Sequence, residues 1–214
     1  MPPLDPRGHE LVRPFLDHLN SGERPRVTYV SALGMEDLER LPVHREIERY
    51  LHGSDLPWTI LRPGFFATNF GNYERENIEQ RNIIFTPAGA GRTPFIDPRD
   101  IAEVAALTLT EERHAGKTYE LTGPEAYSMH EVAALLSETL GRTIVYPEPS
   151  DAAYREALAA AGAPAFIAEY MISVYGLIRA GRVSGVMDTV EALLGRAATG
   201  LGDVVGRDFG ERPA

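Results

Sequence analysis

"PRVTYVSALG", Pro25 to Gly34, is the stretch that decides the fold. An apolar run rich in β-branched residues and tyrosine ends in a small hydroxyl residue, Ser31, and a glycine. That pattern marks Val27–Ala32 as a central strand of a nucleotide-binding sheet. Such a strand ordinarily lies downstream of a glycine-rich phosphate loop, and the residues before Pro25 contain none. Instead "HELVRPFLDHLN", residues 9–20, sets Leu11, Val12, Phe15, Leu16 and Leu19 on one helical face, with a start or kink expected at Pro14.

Helices and strands alternate downstream of this stretch. Residues 36–52 read as a charged amphipathic helix with Leu38, Leu41, Ile47 and Leu51 inward. Trp58–Leu61 is a second short strand, closed by Arg62, Pro63 and Gly64. Residues 65–82 are mixed loop and short helix, and "IIFTPAGAGRTPFID" reads as two short extended pieces around a glycine turn. Asp100 is the expected N-cap of the helix "IAEVAALTLT". "KTYELTG" is a further strand, and Ser128 to Leu140 a helix that opens on a Ser128–Glu131 capping box and stops at Gly141. "TIVYPEP" is a last strand candidate. Residues 151 to about 196 are helical, punctuated at Gly162–Pro164 and Gly181, and the tail 200–214 is expected to pack poorly. The fold class is therefore α/β: a parallel sheet covered by helices in residues 1–150, then a helical cap region and tail in residues 151–214.

Composition narrows the function. The chain has 214 residues, 43% hydrophobic and 24% charged, ordinary for a soluble globular protein with one sizeable core. A net charge of −10 disfavours nucleic acid, which demands Lys and Arg against its phosphates. Lys117 is the only lysine, so a catalytic lysine has one candidate. Without cysteine there are no disulfides, thiol nucleophiles or thiolate metal sites. The first residues lack a signal-peptide pattern, and no apolar run is long enough to span a membrane, so the chain reads as cytosolic. His44, Glu48 and His52 share a helical stripe, but its outer members stand about 12 Å apart, and no metal site is expected there.

Three segments in order, "YVSALG", "HREIERYLHGSDLPWTILRPGFFATNF" and "PFIDPRDIAEVAALTL" through "GKTYELTGPEAYSMHEVAALLSETLGRTIVY", resemble the NmrA-like branch of the atypical short-chain dehydrogenases/reductases. The resemblance runs from about Leu11 to Arg196. It implies a Rossmann-like sheet with a small helical substrate region, NADP or NAD as cofactor, and a quinone-like or other small aromatic substrate. It also implies an N-terminal βαβαβ unit carrying the glycine fingerprint, which this sequence does not show, so the expected sheet is a truncated Rossmann. At about 30 residues per βαβ unit, the unseen part amounts to half a domain. "PAGAGRTP", Pro87–Pro94, is no substitute: Pro94 stands where the third fingerprint glycine belongs, and Thr86 and Arg92 replace the first glycine and the lysine of a phosphate loop.

On the family pattern, Ser31 matches the catalytic serine, His44 falls where the lysine would be and Arg40 where the tyrosine would be. Ser31 and His44 are thus the catalytic candidates. With Pro63, Gly64 and Phe65, which the resemblance places beside the nicotinamide, they are also the cofactor-binding candidates. Phe66, Asn69 and Tyr73 would border the substrate, with Phe166 and Tyr170 of the cap as a roof. The alternative for His44 is a half-exposed helix residue, for Ser31 a strand end, and for Pro63–Gly64 a plain turn.

In the strand order 3-2-1-4-5-6, Val27–Ala32 would be the fourth strand, and removing strands 1 to 3 leaves it as an open apolar edge. A homodimer through this strand is the simplest cover; refolding of residues 1–22 or a separate chain are the alternatives. Three functions compete: an NAD(P)-dependent oxidoreductase with impaired dinucleotide binding, a non-catalytic dimeric binding or regulatory module, and a cofactor-free enzyme with His44 as proton carrier.

Overall fold

The computed structural model describes Asp5, residues 7–34 and residues 43–210. Three parallel strands organise it, in the order β1 (Val27–Val30), β2 (Trp58–Pro63), β4 (Lys117–Leu121). Val27 pairs with Trp58, and Thr59 with Lys117. The ladder outlasts β1 itself, since Ser31 N–H donates to Leu61 O at 2.8 Å and Leu33 N–H to Pro63 O at 2.9 Å. The strand read from the sequence to Ala32 is thus carried on by its hydrogen bonds.

Alternation along β2 divides the core between two faces. Ile60 points to a layer holding Leu16 of α1 (Gly8–Ser21) and Ile47 and Leu51 of α2 (Val43–His52). Leu61 points the other way, to Ile101 and Val104 of α4 (Pro98–Thr110) and Val190 of α8 (Thr189–Leu194). Helices therefore cover both faces, as a parallel sheet requires. A third and larger core lies beyond the strand ends, among α3 (Asn69–Tyr73), α5 (Met129–Leu140), α6 (Asp151–Ala160), α7 (Ala165–Arg179) and α9 (Leu201–Phe209).

Several local readings need correction. α1 runs through Pro14, and its inward stripe is Val12, Leu16 and Leu19, whereas Leu11 and Phe15 face solvent. The helix expected from 36 is described only from Val43, so Leu38 and Leu41 lie outside the described residues. The two extended pieces around the glycine turn do not pair with each other. β3 (Arg92–Pro94) pairs antiparallel with β5 (Ala126–Ser128). Neither "IIF" nor "TIVYPEP" forms a strand; a single bridge, Ile83 to Val145, joins them.

The N-cap of α4 is Asp97, whose carboxylate accepts from Arg99 N–H at 3.0 Å, with Pro98 at the first helical position. Asp100 lies inside the helix and is fully buried; it accepts from Arg196 Nη2 at 2.9 Å and Thr199 N–H at 2.7 Å. The tail is not loose through Phe209: Leu201, Val204, Val205 and Phe209 bury one face of α9 against the third core. Arg207 adds an ion pair to Asp97 at 2.7 Å. The α5 capping box and the Gly141 stop are present as read.

Candidate functional site

The carboxyl ends of β1 and β2 open onto a cavity of about 700 Å³, where ligands bind in open α/β sheets. Ser31, Ala32 and Leu33 form one lip, and Pro63, Gly64 and Phe65 the next. Space favours Gly64 there: a Cβ would make a tight 3.1 Å approach to Pro94 O. Phe65 packs at 5.4 Å between ring centroids on Tyr175 of α7 and edge-on at 6.3 Å on Phe95. Helices α6 and α7 roof the cavity with Tyr154, Tyr170 and Met171, while α8 leaves this roof for the α4 face of the sheet.

The structure brings Ser31, Pro63, Gly64, Phe65, Phe66, Asn69, Tyr73 and Tyr170 to this one cavity. Tyr73, 77% exposed, stands at its mouth. Phe166 is not on the lining; it turns outward, and the next residue, Ile167, takes the wall position. His44 is not on the lining either. It is 7% exposed beneath the sheet, with Nδ1 at 2.7 Å from the Tyr29 hydroxyl. Burial lowers its pKa to about 4, against the opposing pull of Glu48. His44 is therefore neutral and enclosed, which removes the geometric support for a proton carrier facing a ligand. Arg40 lies outside the described residues.

Beside His44, Glu48 of α2 is 5% exposed and receives both arms of Arg62, Nε to Oε1 at 3.1 Å and Nη2 to Oε2 at 2.5 Å. Burial alone would raise the Glu48 pKa, but the Arg62 fork outweighs it and holds the carboxyl below its usual value. Ser31 helps from nearby, although its fully buried hydroxyl completes no well-formed hydrogen bond.

No sequence pattern marks the opposite wall. Glu74, the C-cap of α3, is 8% exposed and lines the cavity. Its Oε2 accepts from Phe85 N–H at 2.9 Å and Asn77 Nδ2 at 3.1 Å. Burial raises its pKa, and these bonds and Arg81 only partly offset the rise. Thr86, also on the wall, has a buried Oγ1 without a partner. In the sequence Glu74 sits in the charged run "YEREN", which looks like a solvated surface.

The glycine-rich loop 87–94 is committed to packing. A Cβ at Gly91 would sit 2.1 Å from Ile178 O, and Arg179 bonds both Pro87 O and Asp151. Among the described residues no cluster of His, Asp and Glu could hold a metal, and no helix is long and apolar enough to cross a membrane.

The NmrA-like family matches residues 42–200. The chain is 36% identical over 153 residues to an NAD(P)H azoreductase of Xenophilus azovorans, covering 72% of this chain and 53% of that one. A solved NADPH-dependent quinone oxidoreductase from Escherichia coli, complexed with NADPH, superposes with a TM-score of 0.86 at 25% identity, over 95% of this chain and 72% of that one. Triphenylmethane reductase of Citrobacter sp., complexed with NADP(H), gives 0.80 at 25% identity, over 95% and 71%. The chain spans between about half and two thirds of the length of three curated relatives it matches, 53%, 63% and 54%.

Proposed function

The chain belongs to the NmrA-like family, and on that premise we propose that it forms the nicotinamide-facing wall and substrate cavity of an NAD(P)H-dependent reductase acting on quinone-like or other flat aromatic compounds. The observation that carries this reading is the apolar cavity at the carboxyl ends of β1 and β2, with Ser31 and Gly64 on its lips. The residues fit one end of the cofactor: Pro63 and Gly64 offer bare backbone, Phe65 a ring face, and Ser31 stands on the lip beside them. Bound NAD(P)H would supply a hydride. Ser31 would anchor the carboxamide or ribose edge, and Phe66, Asn69, Tyr73 and Tyr170 would border the substrate. His44 contributes by holding Tyr29 and the underside of β1, not by contact.

Phosphate binding is the weak half of this reading. The sequence shows no glycine fingerprint, and the loop at 87–94 is filled by α7. The 214-residue chain by itself is therefore expected to hold NADP or NAD weakly, because the helix-terminus contacts to the pyrophosphate are what ordinarily secure it. The test is a calorimetric titration with a naphthoquinone, comparing the parent with Gly64→Val, whose side chain would press on Pro94 O. Saturable binding lost in the variant supports the reading; binding equal in both overturns it.

A second reading, a dimeric module, rests on a separate observation. Among the described residues β1 pairs on one side only, and Leu11 and Phe15 are 57% and 61% exposed on α1. An apolar edge strand invites pairing, and we propose a homodimer through Val27–Ala32. Light scattering at low micromolar concentration checks it: a mass of two chains supports the dimer, and a stable monomer contradicts it.

A further inference from the structure

We propose that Glu74 is the specificity-determining residue of this cavity, its open carboxylate oxygen accepting a hydrogen bond from a phenolic hydroxyl or an amine carried on a flat aromatic ligand. This rests on the cavity being a ligand site, as argued above, and adds a preference within it: a plain quinone, with carbonyl acceptors only, binds through the aromatic walls and leaves this oxygen bare, whereas a hydroxyl- or amino-bearing ring fills it. Three observations converge. Glu74 is more than nine-tenths buried, yet faces the cavity. Its two oxygens are unequal: Oε2 is held by Phe85 N–H and Asn77 Nδ2, while Oε1 has no hydrogen bond among the described residues. Nearby polar atoms do not fill the gap, since Arg81 is turned to Asn77 Oδ1 at 3.0 Å and to the Phe85 ring at 5.7 Å.

The walls between Glu74 and the Gly64 lip are aromatic. Phe65 touches Tyr175 at 5.4 Å, and Tyr175 meets Tyr154 edge-on at 5.9 Å. Phe70, one helical turn before Glu74, packs on Phe95 at 5.1 Å. A ring lying on these faces is bound without direction. A buried carboxylate with one occupied and one open oxygen gives it direction, because an oxygen left without a donor in such a site costs more than a satisfied one. A ligand bearing O–H or N–H at that end satisfies Oε1, and one bearing only an ether or a methyl leaves it bare. The inference therefore separates aromatic compounds of equal size by their donor.

The test is calorimetric binding to the 214-residue chain at pH 8 of 2-naphthol, 2-naphthylamine and 2-methoxynaphthalene, which share a ring system and differ in the donor. The parent protein is expected to bind the first two about tenfold or more tightly than the third, as hydrogen bonds to a charged partner ordinarily require. Glu74→Gln, which keeps an acceptor for Phe85 N–H but turns an amide N–H₂ to the cavity, is expected to erase or invert that ratio. Should the variant fail to fold, the ratio in the parent decides alone. Equal affinity for the three rings, tighter binding of the methoxy compound, or an unchanged ratio in folded Glu74→Gln overturns the inference and leaves the cavity reading intact. Failure of all three to bind overturns both.

Discussion

Two buried glutamates flank the same sheet end and behave oppositely. Glu48, beneath β1 and β2, is 5% exposed, and Glu74, on the cavity wall, is 8% exposed. Burial pushes both carboxyls toward the neutral form. Glu48 is nonetheless held below its usual value because Arg62 meets it with two hydrogen bonds. Glu74 stays raised because its partners are a backbone N–H and an amide, with Arg81 acting only from a distance. Two carboxylates of similarly small solvent exposure thus end as an ion pair in one place and an open acceptor in the other. The difference lies in whether a cation completes the carboxylate.

The largest effect is expected from breaking the closed pair. Arg62→Met should cost about 4 kcal/mol in urea unfolding, since it strands a buried charge. Adding Glu48→Leu to that variant should recover most of the loss, because two apolar residues remove the desolvated charge as well. A double variant as unstable as the single would show that Arg62 acts through something other than Glu48.

The next effect is on acid stability. His44 has its folded pKa depressed to about 4 from an ordinary value near 6.5. Below the ordinary value the unfolded chain binds the proton more readily than the folded one, so stability is full above about pH 6.5 and is lost as pH falls toward 4. The loss attributable to His44 should reach at most about 3 kcal/mol. His44→Asn, which can still bond the Tyr29 hydroxyl, should flatten the stability slope in that window; an unchanged slope would assign it to other groups.

The smallest effect separates the two carboxylates directly. Glu48→Gln should cost about 1 to 2 kcal/mol by weakening a charge-assisted fork. Glu74→Gln should stay within about 0.5 kcal/mol of the parent at neutral pH, since the amide keeps an acceptor for Phe85 N–H and carries no charge to desolvate. Glu74, with its raised folded pKa, disfavours folding as pH rises through that value, so the amide should also remove this penalty. Equal costs for the two variants would erase the contrast.

Much of the fold was legible because its signals are local. Ser128 and Glu131 are three residues apart and cap α5 within one turn. Gly162 through Pro164 separates α6 from α7 just as chain stiffness dictates. The misread cap was also local: Pro98 at the first helical position marks Asp97, and the better apolar run after Asp100 hid it. α9 escaped because Gly202 and Gly206 lower its helix propensity, and only burial of Leu201, Val204, Val205 and Phe209 sustains it. In the site, the Ser31 and Pro63–Phe65 lips were legible as strand ends. Glu74, Thr86 and Tyr154 were not, because the stretch holding Glu74 and Thr86 meets the distant Tyr154 only after the helical roof closes. His44 was misplaced for a related reason: a helical stripe shows which residues share a face, and not whether that face meets a ligand or the underside of a sheet.

On the proposed function, this chain forms the nicotinamide-side wall and an aromatic cavity while contributing little grip on the phosphates. Parallel calorimetric titrations of the folded 214-residue chain with a naphthoquinone and with NADPH decide it. Saturable quinone binding with no saturation by NADPH at micromolar concentrations is the expected result. Micromolar NADPH binding, or no quinone binding, would overturn it.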